Sequence, residues 1–168
     1  MLRLLSKDPS RLVGPSLRFT VTSIEYSMYM NLVYHYLLTQ PRPRSSTFHP
    51  FIDWCSHHAS TADMTRAISF PDISVRASSV VHIEGDFVNI FHTANRQYDT
   101  VVTLLFTDTA ANIMNYLETI YSVLKPGGIW INFAPLLWNS APLVQLSLNE
   151  ILDLAEELGY EFMDPKGD

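Results

Sequence analysis

Three acidic residues stand just past runs of strand-forming residues: Glu25 after 17–23, Asp86 after 79–83 and Asp108 after 100–106. In open α/β sheets, ligands bind outside the carboxyl ends of the strands, so acids at those places are candidates for ligand contact. Glu25 suits two jobs. It can accept hydrogen bonds from ribose hydroxyls, or sit at the start of the following helix, where the dipole favours a carboxylate. Asp86 is followed by Phe87, and an acceptor beside a ring suits the amino group and face of adenine. A plain turn at Gly85-Asp86-Phe87 accounts for the same residues. Asp108 either caps the next helix, the common role of Asp there, or faces a substrate at the same rim.

Other chemistry-bearing residues carry less. His49, His57 and His58 cluster around Trp54, but neither an HxxxH pair nor a Cys/His pair is present, so no metal site is expected. Cys55 is the single cysteine. It excludes an internal disulfide, fits a reducing compartment and reads as a packed thiol. The aromatic and histidine-rich segment suits a lid on the substrate side or plain packing.

The elements that must position these acids are legible from periodicity. Residues 100–106 form a short apolar run of strand formers. Residues 110–124 carry one apolar stripe through Ala110, Ile113, Met114, Leu117, Ile120, Tyr121 and Leu124, the pattern of an amphipathic helix. Lys125-Pro126-Gly127-Gly128 stops it, and residues 129–134 start a second apolar strand. Strand, helix and strand make a βαβ unit and imply a parallel sheet. Upstream, residues 17–23 and 79–83 read as strands, and Tyr29, Leu32, Val33, Tyr36 and Leu37 mark one face of a helix ending before Pro41. Residues 41–50 and 71–78 read as loops, 51–68 as a short helix plus loop, and 88–93 as a helical turn. Ser147-Leu148-Asn149-Glu150 is a capping box that starts a last helix, with Gly159 as its C′ residue and a strand starting at 160–163. Residues 1–16 show no sustained period.

The chain has 168 residues, 47% of them hydrophobic, enough for one domain with a real core. Its net charge of −6 and lack of a Lys/Arg run argue against binding nucleic acid or an anionic membrane. No apolar run reaches the ~18 residues of a membrane-spanning helix. The N-terminus does not read as a secretory signal, and the expected location is the cytoplasm, with the nucleus as a second compartment. Oligomeric state is not legible.

Taken together, several of these residues resemble a known family. They are Asp99-Thr100, the run from Phe106 to Ala110, Asn112, the run from Tyr116 to Ile120, LKPGGIWIN at 124–132 and Pro135-Leu136-Leu137. With Glu25-Tyr26-Ser27, His49-Pro50-Phe51, Phe70-Pro71-Asp72 and Gly85-Asp86-Phe87 in the same order, the set is similar to carnosine N-methyltransferases, the N2227-like family. The resemblance covers about residues 11–162. It implies a Rossmann-like α/β fold with a mostly parallel sheet, S-adenosyl-L-methionine as cofactor, and methyl transfer to an imidazole nitrogen of carnosine or a similar histidine-containing small substrate. It also implies roles. Glu25 would bind the ribose, Asp86 and Phe87 the adenine side, and Thr100 another part of the cofactor. Asp108 would hold the substrate imidazole, and Asn139 stands where the family has a catalytic-site histidine.

Two departures follow. Asn139 can hydrogen-bond a substrate but cannot shuttle a proton. The glycine-rich loop after a first strand, which lets backbone approach the cofactor, has no counterpart in Ser6-Lys7-Asp8-Pro9-Ser10. The domain is therefore expected to be a single one over 1–168, incomplete at both ends, lacking the usual first strand, with 41–78 as a substrate-side insertion. In this fold the first strand is central, so either residues 1–16 substitute for it, or the two halves of the sheet pair directly, or the chain is a fragment. A non-catalytic binding protein and a methyltransferase for another small acceptor are the rival functions.

Overall fold

Leu2 and Leu4 alternate along a short segment at the start of the chain, and both are fully buried. They belong to strand β1 (Leu2–Lys7), which holds the middle of a five-stranded sheet. The computed structural model describes residues 2–7, 19–40, 42–53, 56, 58–70, 80–93, 95–138 and 142–163. Asn139, Trp54, Cys55 and His57 lie outside these, as does the run 71–79. The chain divides into two compact units: Met1–Tyr26 with Ser79–Asp168, and Ser27–Ser78.

The first unit holds β1, β2 (Phe19–Glu25), β5 (Val80–Glu84), α3 (Phe87–Phe91), β6 (Tyr98–Leu104), a 3-10 turn (Thr107–Thr109), α4 (Ile113–Val123), β7 (Leu124–Phe133) and α5 (Leu148–Glu157). The second holds α1 (Met28–Leu38), β3 (Ser46–Phe48), α2 (Thr61–Met64) and β4 (Ile68–Phe70). The strand order in the main sheet is β5-β2-β1-β6-β7. Strands β2 and β5 pair in parallel, as do β6 and β7, while β1 is antiparallel to both of its neighbours. Four strands therefore share one direction and the central one opposes it. This is the mixed, mainly parallel sheet of a Rossmann-like α/β fold. Of the three alternatives for the missing first strand, substitution from the start of the chain is the one found: Leu2–Lys7 fills the central place, antiparallel where the usual strand is parallel, and β1 satisfies backbone groups that two abutting half-sheets would leave open.

Register explains which face is buried. Ile83, Ile24, Leu2 and Thr103 lie side by side, with the exposed Asn132 ending the row on the edge strand, and Leu4, Val101 and Trp130 form the next row. These point toward the helices. Leu2, Leu4, Ile24 and Val101 pack with Phe87 and Phe91 of α3 and with Ile120 and Val123 of α4. A second cluster joins Ile113 and Leu117 of α4 to Ile151 and Ala155 of α5, with Trp130 touching both. Each such buried aliphatic side chain contributes about 1.5–3 kcal/mol. On the opposite face of β7, Ile129, Ile131 and Phe133 are exposed.

Other boundaries moved for local reasons. Strand β6 ends at Leu104 because Leu105 adopts a left-handed φ of 49°. Helix α4 starts at Ile113, capped by the Asn112 side chain accepting from the Met114 amide at 3.0 Å. Lys125-Pro126-Gly127-Gly128 lies inside β7 as a bulge, since Tyr98 pairs with Leu124 and Thr100 already with Ile129. A side chain on Gly128 would stand 2.9 Å from the Lys125 carbonyl oxygen and 3.2 Å from that of Asp99, so only glycine fits there. Lys125 Nζ bonds Asp99 Oδ2 at 3.0 Å and closes the bulge. The capping box at Ser147 and Glu150 is present. Gly159 and Tyr160 donate to the carbonyls of Glu156 and Ala155, which is a Schellman ending. Residues 160–163 form no strand.

In the second unit, α1 has the expected extent, but Tyr29, Leu32, Val33 and Tyr36 of its apolar stripe are exposed. Strands β3 and β4 form a small antiparallel sheet where loops were expected. Phe70 packs edge-on to Phe48 at 5.0 Å and against Tyr36 at 6.2 Å, and the Tyr36 hydroxyl lies 2.7 Å from Ser46 Oγ. Residues 41–78 belong to this unit together with α1.

Candidate active site

Because β2, β5 and β6 run the same way, their carboxyl ends share one edge of the sheet. Glu25 and Glu84 are the last residues of β2 and β5 and are register partners, so they are neighbours at that edge. The Gly85 amide donates to the Glu25 carbonyl at 3.0 Å, which carries the pairing one residue further. Gly85 has a φ of 143°, a conformation open to glycine, and turns the chain from β5 into α3. Glu25 does not cap α1. That place belongs to Ser27, whose hydroxyl accepts from the Met30 amide.

Asp86 caps α3, with one carboxylate oxygen accepting from the Asn89 amide at 2.9 Å. Its second oxygen has no hydrogen-bond partner among the described residues. Phe87 is only 3% exposed. Its ring lies edge-on to Phe106 at 5.8 Å and to Tyr116 at 6.0 Å. The expected stacking face is thus taken up by the core, and Phe87 supports the rim from beneath. Thr100 does not join the group either. It sits four residues before the end of β6, roughly 13 Å from the edge at ~3.3 Å per residue. Its neighbours there are Leu5 and Ile129, on the face away from Val101.

Asp108 lies in the 3-10 turn beyond β6 and is 7% exposed. It is not the cap of α4, which is Asn112. Its Oδ2 accepts from the Leu137 amide at 3.4 Å, tying the turn to the segment that leads to Trp138 and on to Asn139. Oδ1 has no hydrogen-bond partner among the described residues.

Several rim residues were not singled out from sequence. Tyr116 stacks on Phe106 with centroids 4.8 Å apart and planes 18° from parallel. Burial raises the pKa of its phenol above the usual tyrosine range, the Asp86 charge adds to this, and a hydrogen bond with Thr109 opposes it. The phenol therefore stays protonated at neutral pH, between Asp86 and the Asp108 turn. Thr103, Thr107, Trp130 and Asn132 form a linked polar group beneath that turn. A cavity of about 310 Å³ opens beside it, lined by Thr107, Asn132, Leu136, Ile151, Ala155 and Phe162. A larger one of about 500 Å³ lies by the Lys125–Gly128 bulge and is remote from the acids. Among the described residues no group of three His, Cys, Asp or Glu converges on a metal position. No helix among them is long and apolar enough to cross a membrane.

The acids fit one half of the expected cofactor. Carboxylates at the ends of β2 and β5 suit ribose hydroxyls, and the open oxygen of Asp86 suits an exocyclic amino group. For the other half, no glycine-rich cradle stands at this edge among the described residues. Lys7, the carboxyl end of β1, pairs with Phe19 at the opposite edge of the sheet. At the rim itself, Leu2 stands between Ile24 and Thr103.

Comparison with known proteins gives the family. A family model for carnosine N-methyltransferase matches residues 14–167. The mouse carnosine N-methyltransferase is 32% identical over 147 residues, 82% of this chain and 36% of the mouse protein. The rat protein of that name is 35% identical over 122 residues, 67% of this chain and 30% of its own length. That of Schizosaccharomyces pombe is 27% identical over 167 residues, 86% and 45%. The chain thus spans less than half the length of these curated relatives. With the family model covering nearly all of it, the chain belongs to the carnosine N-methyltransferase family.

Proposed function

We propose that this chain carries the rim of an S-adenosylmethionine-dependent N-methyltransferase acting on an imidazole nitrogen of carnosine or a similar histidine-containing small molecule. The observation that carries the reading is Asp108, a buried carboxylate held at the carboxyl edge in a chain of this family. The bound cofactor supplies a sulfonium methyl group. For an imidazole to accept it, the ring must be neutral, with one nitrogen lone pair free and the other nitrogen's proton held. An ionised carboxylate accepts that N–H, fixes the tautomer and aims the free lone pair. Asp108 Oδ1 is available for this while Oδ2 stays on the Leu137 amide. After transfer the ring is cationic. Asp108 lies beside that charge and stabilises it until the ring N–H proton leaves to water. Glu25 and Glu84 hold the ribose, and Asp86 the adenine amino group.

The test is single-turnover methyl transfer from labelled cofactor to L-carnosine. Asp108→Asn cannot hold the N–H as an anion, so transfer should fall at least ~100-fold with unchanged affinity for S-adenosylhomocysteine. Equal turnover in the variant would remove Asp108 from the mechanism. A second reading, a binding protein without turnover, is favoured by the reversed central strand. It predicts nucleoside binding with no labelled product from carnosine or from non-imidazole acceptors.

A further inference from the structure

The geometry points to Asn132 as the positioning residue for Asp108: one side-chain carbonyl gathers two threonine hydroxyls and thereby sets where the carboxylate stands. Its use in catalysis rests on the proposed function, whereas the positioning itself does not. Thr103 Oγ1 donates to Asn132 Oδ1 at 2.7 Å and Thr107 Oγ1 donates to the same atom at 2.6 Å. These are hydroxyl-to-oxygen lengths, shorter than the ~2.9–3.0 Å usual when an N–H is the donor. The amide oxygen, not its nitrogen, therefore faces the threonines. Trp130 Nε1 donates to Thr103 Oγ1 at 2.9 Å, and an indole can only donate. The Thr103 proton is thereby left to an acceptor, and Asn132 Oδ1 at 2.7 Å is much nearer than the Ile131 carbonyl at 3.4 Å. The chain of bonds has one sense, from Trp130 through Thr103 to Asn132, with Thr107 arriving from the other side.

The turn that carries Asp108 needs this support. It spans three residues, and its backbone bonds are Thr109 to Phe106 at 3.0 Å and a long Ala110 to Thr107 contact of 3.4 Å. Leu105 before it is left-handed. A short 3-10 turn after a left-handed residue has weak intrinsic geometry. Thr107 is 3% exposed and Thr103 1%, so both hydroxyls must be satisfied within the protein. Asn132 of β7 does so for both, and joins the turn to β6 and β7 at once. Asp108 is the next residue along. Nothing in the Asn132 motif alone signals this, because its role appears when Thr103, Thr107 and Asn132 are brought together by the β6–β7 register.

The test reads Asp108 through the Leu137 amide, whose proton is on its carboxylate, in ¹⁵N-labelled full chain. Asn132→Ala and Thr107→Val should each shift the Leu137 amide resonance, while amides of α5 stay in place. Thr107→Ser keeps the hydroxyl and should leave Leu137 where it is in the wild type. The double variant should shift Leu137 no further than the larger single change, since both break one linkage. If Asn132→Ala fails to fold, the Thr107→Val and Thr107→Ser pair decides alone. An unmoved Leu137 in Thr107→Val, or a shift in Thr107→Ser equal to that in Thr107→Val, overturns the proposal. The catalytic consequence is read separately. KM for L-carnosine should rise about 100-fold in Asn132→Ala, as for a misplaced binding group, with S-adenosylhomocysteine affinity within ~3-fold. A shifted Leu137 in a protein that never methylates carnosine upholds the positioning and refutes only the proposed activity.

Discussion

Leu4→Ala tests whether the reversed central strand holds the sheet together. Leu4 is fully buried, with register partners Thr22 and Val101 on either side and Ile120 and Val123 of α4 in the same core cluster. Truncating a buried leucine to alanine costs about 2.7–5 kcal/mol, the higher figures arising where the surroundings cannot close in. A strand hydrogen-bonded on both edges cannot shift toward the gap without breaking one of its ladders. The cost here therefore falls in the upper part of that range, about 4 kcal/mol. In a domain of this size each kcal/mol moves the melting temperature by roughly 2–4 °C, so a fall of about 8–16 °C is expected. Ile131→Ala is the matched control: Ile131 is 51% exposed, on the face without helices, and its truncation should cost about 1 kcal/mol or less. Urea unfolding followed by far-ultraviolet circular dichroism measures both, with the m-value showing that the unfolded state is unchanged. If Leu4→Ala lies within about 1 kcal/mol of Ile131→Ala, β1 does not hold the middle of the sheet.

The direction of β1 also predicts ligand selectivity. Since β1 ends, at Lys7, on the edge away from Glu25, calorimetry should give adenosine and S-adenosylhomocysteine affinities within ~3-fold, and a ~10-fold preference for the latter would refute the reasoning. Gly128→Ala should destabilise by roughly 1–3 kcal/mol, because its methyl group would meet two backbone oxygens; no change in the unfolding midpoint would mean that the bulge is more open than described. The Glu150 carboxyl is held below the usual glutamate range, first by the Ser147 hydroxyl and then by the Ser147 amide. A lowered folded-state pKa adds stability above the unfolded-state value that is lost as pH falls through the folded one. Glu150→Gln should therefore narrow the stability gap between neutral and acid pH, and an unchanged acid limb in pH-dependent unfolding would exclude the linkage.

What could be read from sequence was what is written locally. The Ser147 box, the α4 stripe, the stop before Pro41 and the acids past the strands each depend on residues within one turn or one strand. The family pattern placed Glu25, Asp86 and Asp108 in order along the chain. The strand at Leu2–Lys7 was not legible, because six residues are too few to show a sustained period. The bulge at Lys125–Gly128 looked like a break between two elements, since Pro and Gly punctuate loops and bulges alike. Phe87 and Thr100 were displaced for a different reason. Their places depend on what packs over α3 and on where β6 begins, and neither is a property of the residues beside them. The Thr103–Asn132–Thr107 linkage joins positions 25 to 29 apart in sequence and exists only through register.

The reversal of β1 separates two kinds of function that a Rossmann-like sheet normally delivers together. A residue that ends a strand, such as Glu25, Glu84 or the turn bearing Asp108, depends on the direction of its own strand. Those three strands keep the common direction, so reversing their shared neighbour leaves all three at one edge. A loop that follows the central strand depends on the direction of that strand, and reversal carries it to the other edge. The acids are thus insensitive to the one feature in which this sheet departs from an all-parallel arrangement, while any backbone cradle is fully sensitive to it. That is why the proposed function draws on the acids for adenosine and for an acceptor N–H. It is also why labelled methyl transfer to an acceptor, rather than nucleoside affinity, is the measurement that tells the enzyme reading from the binding one.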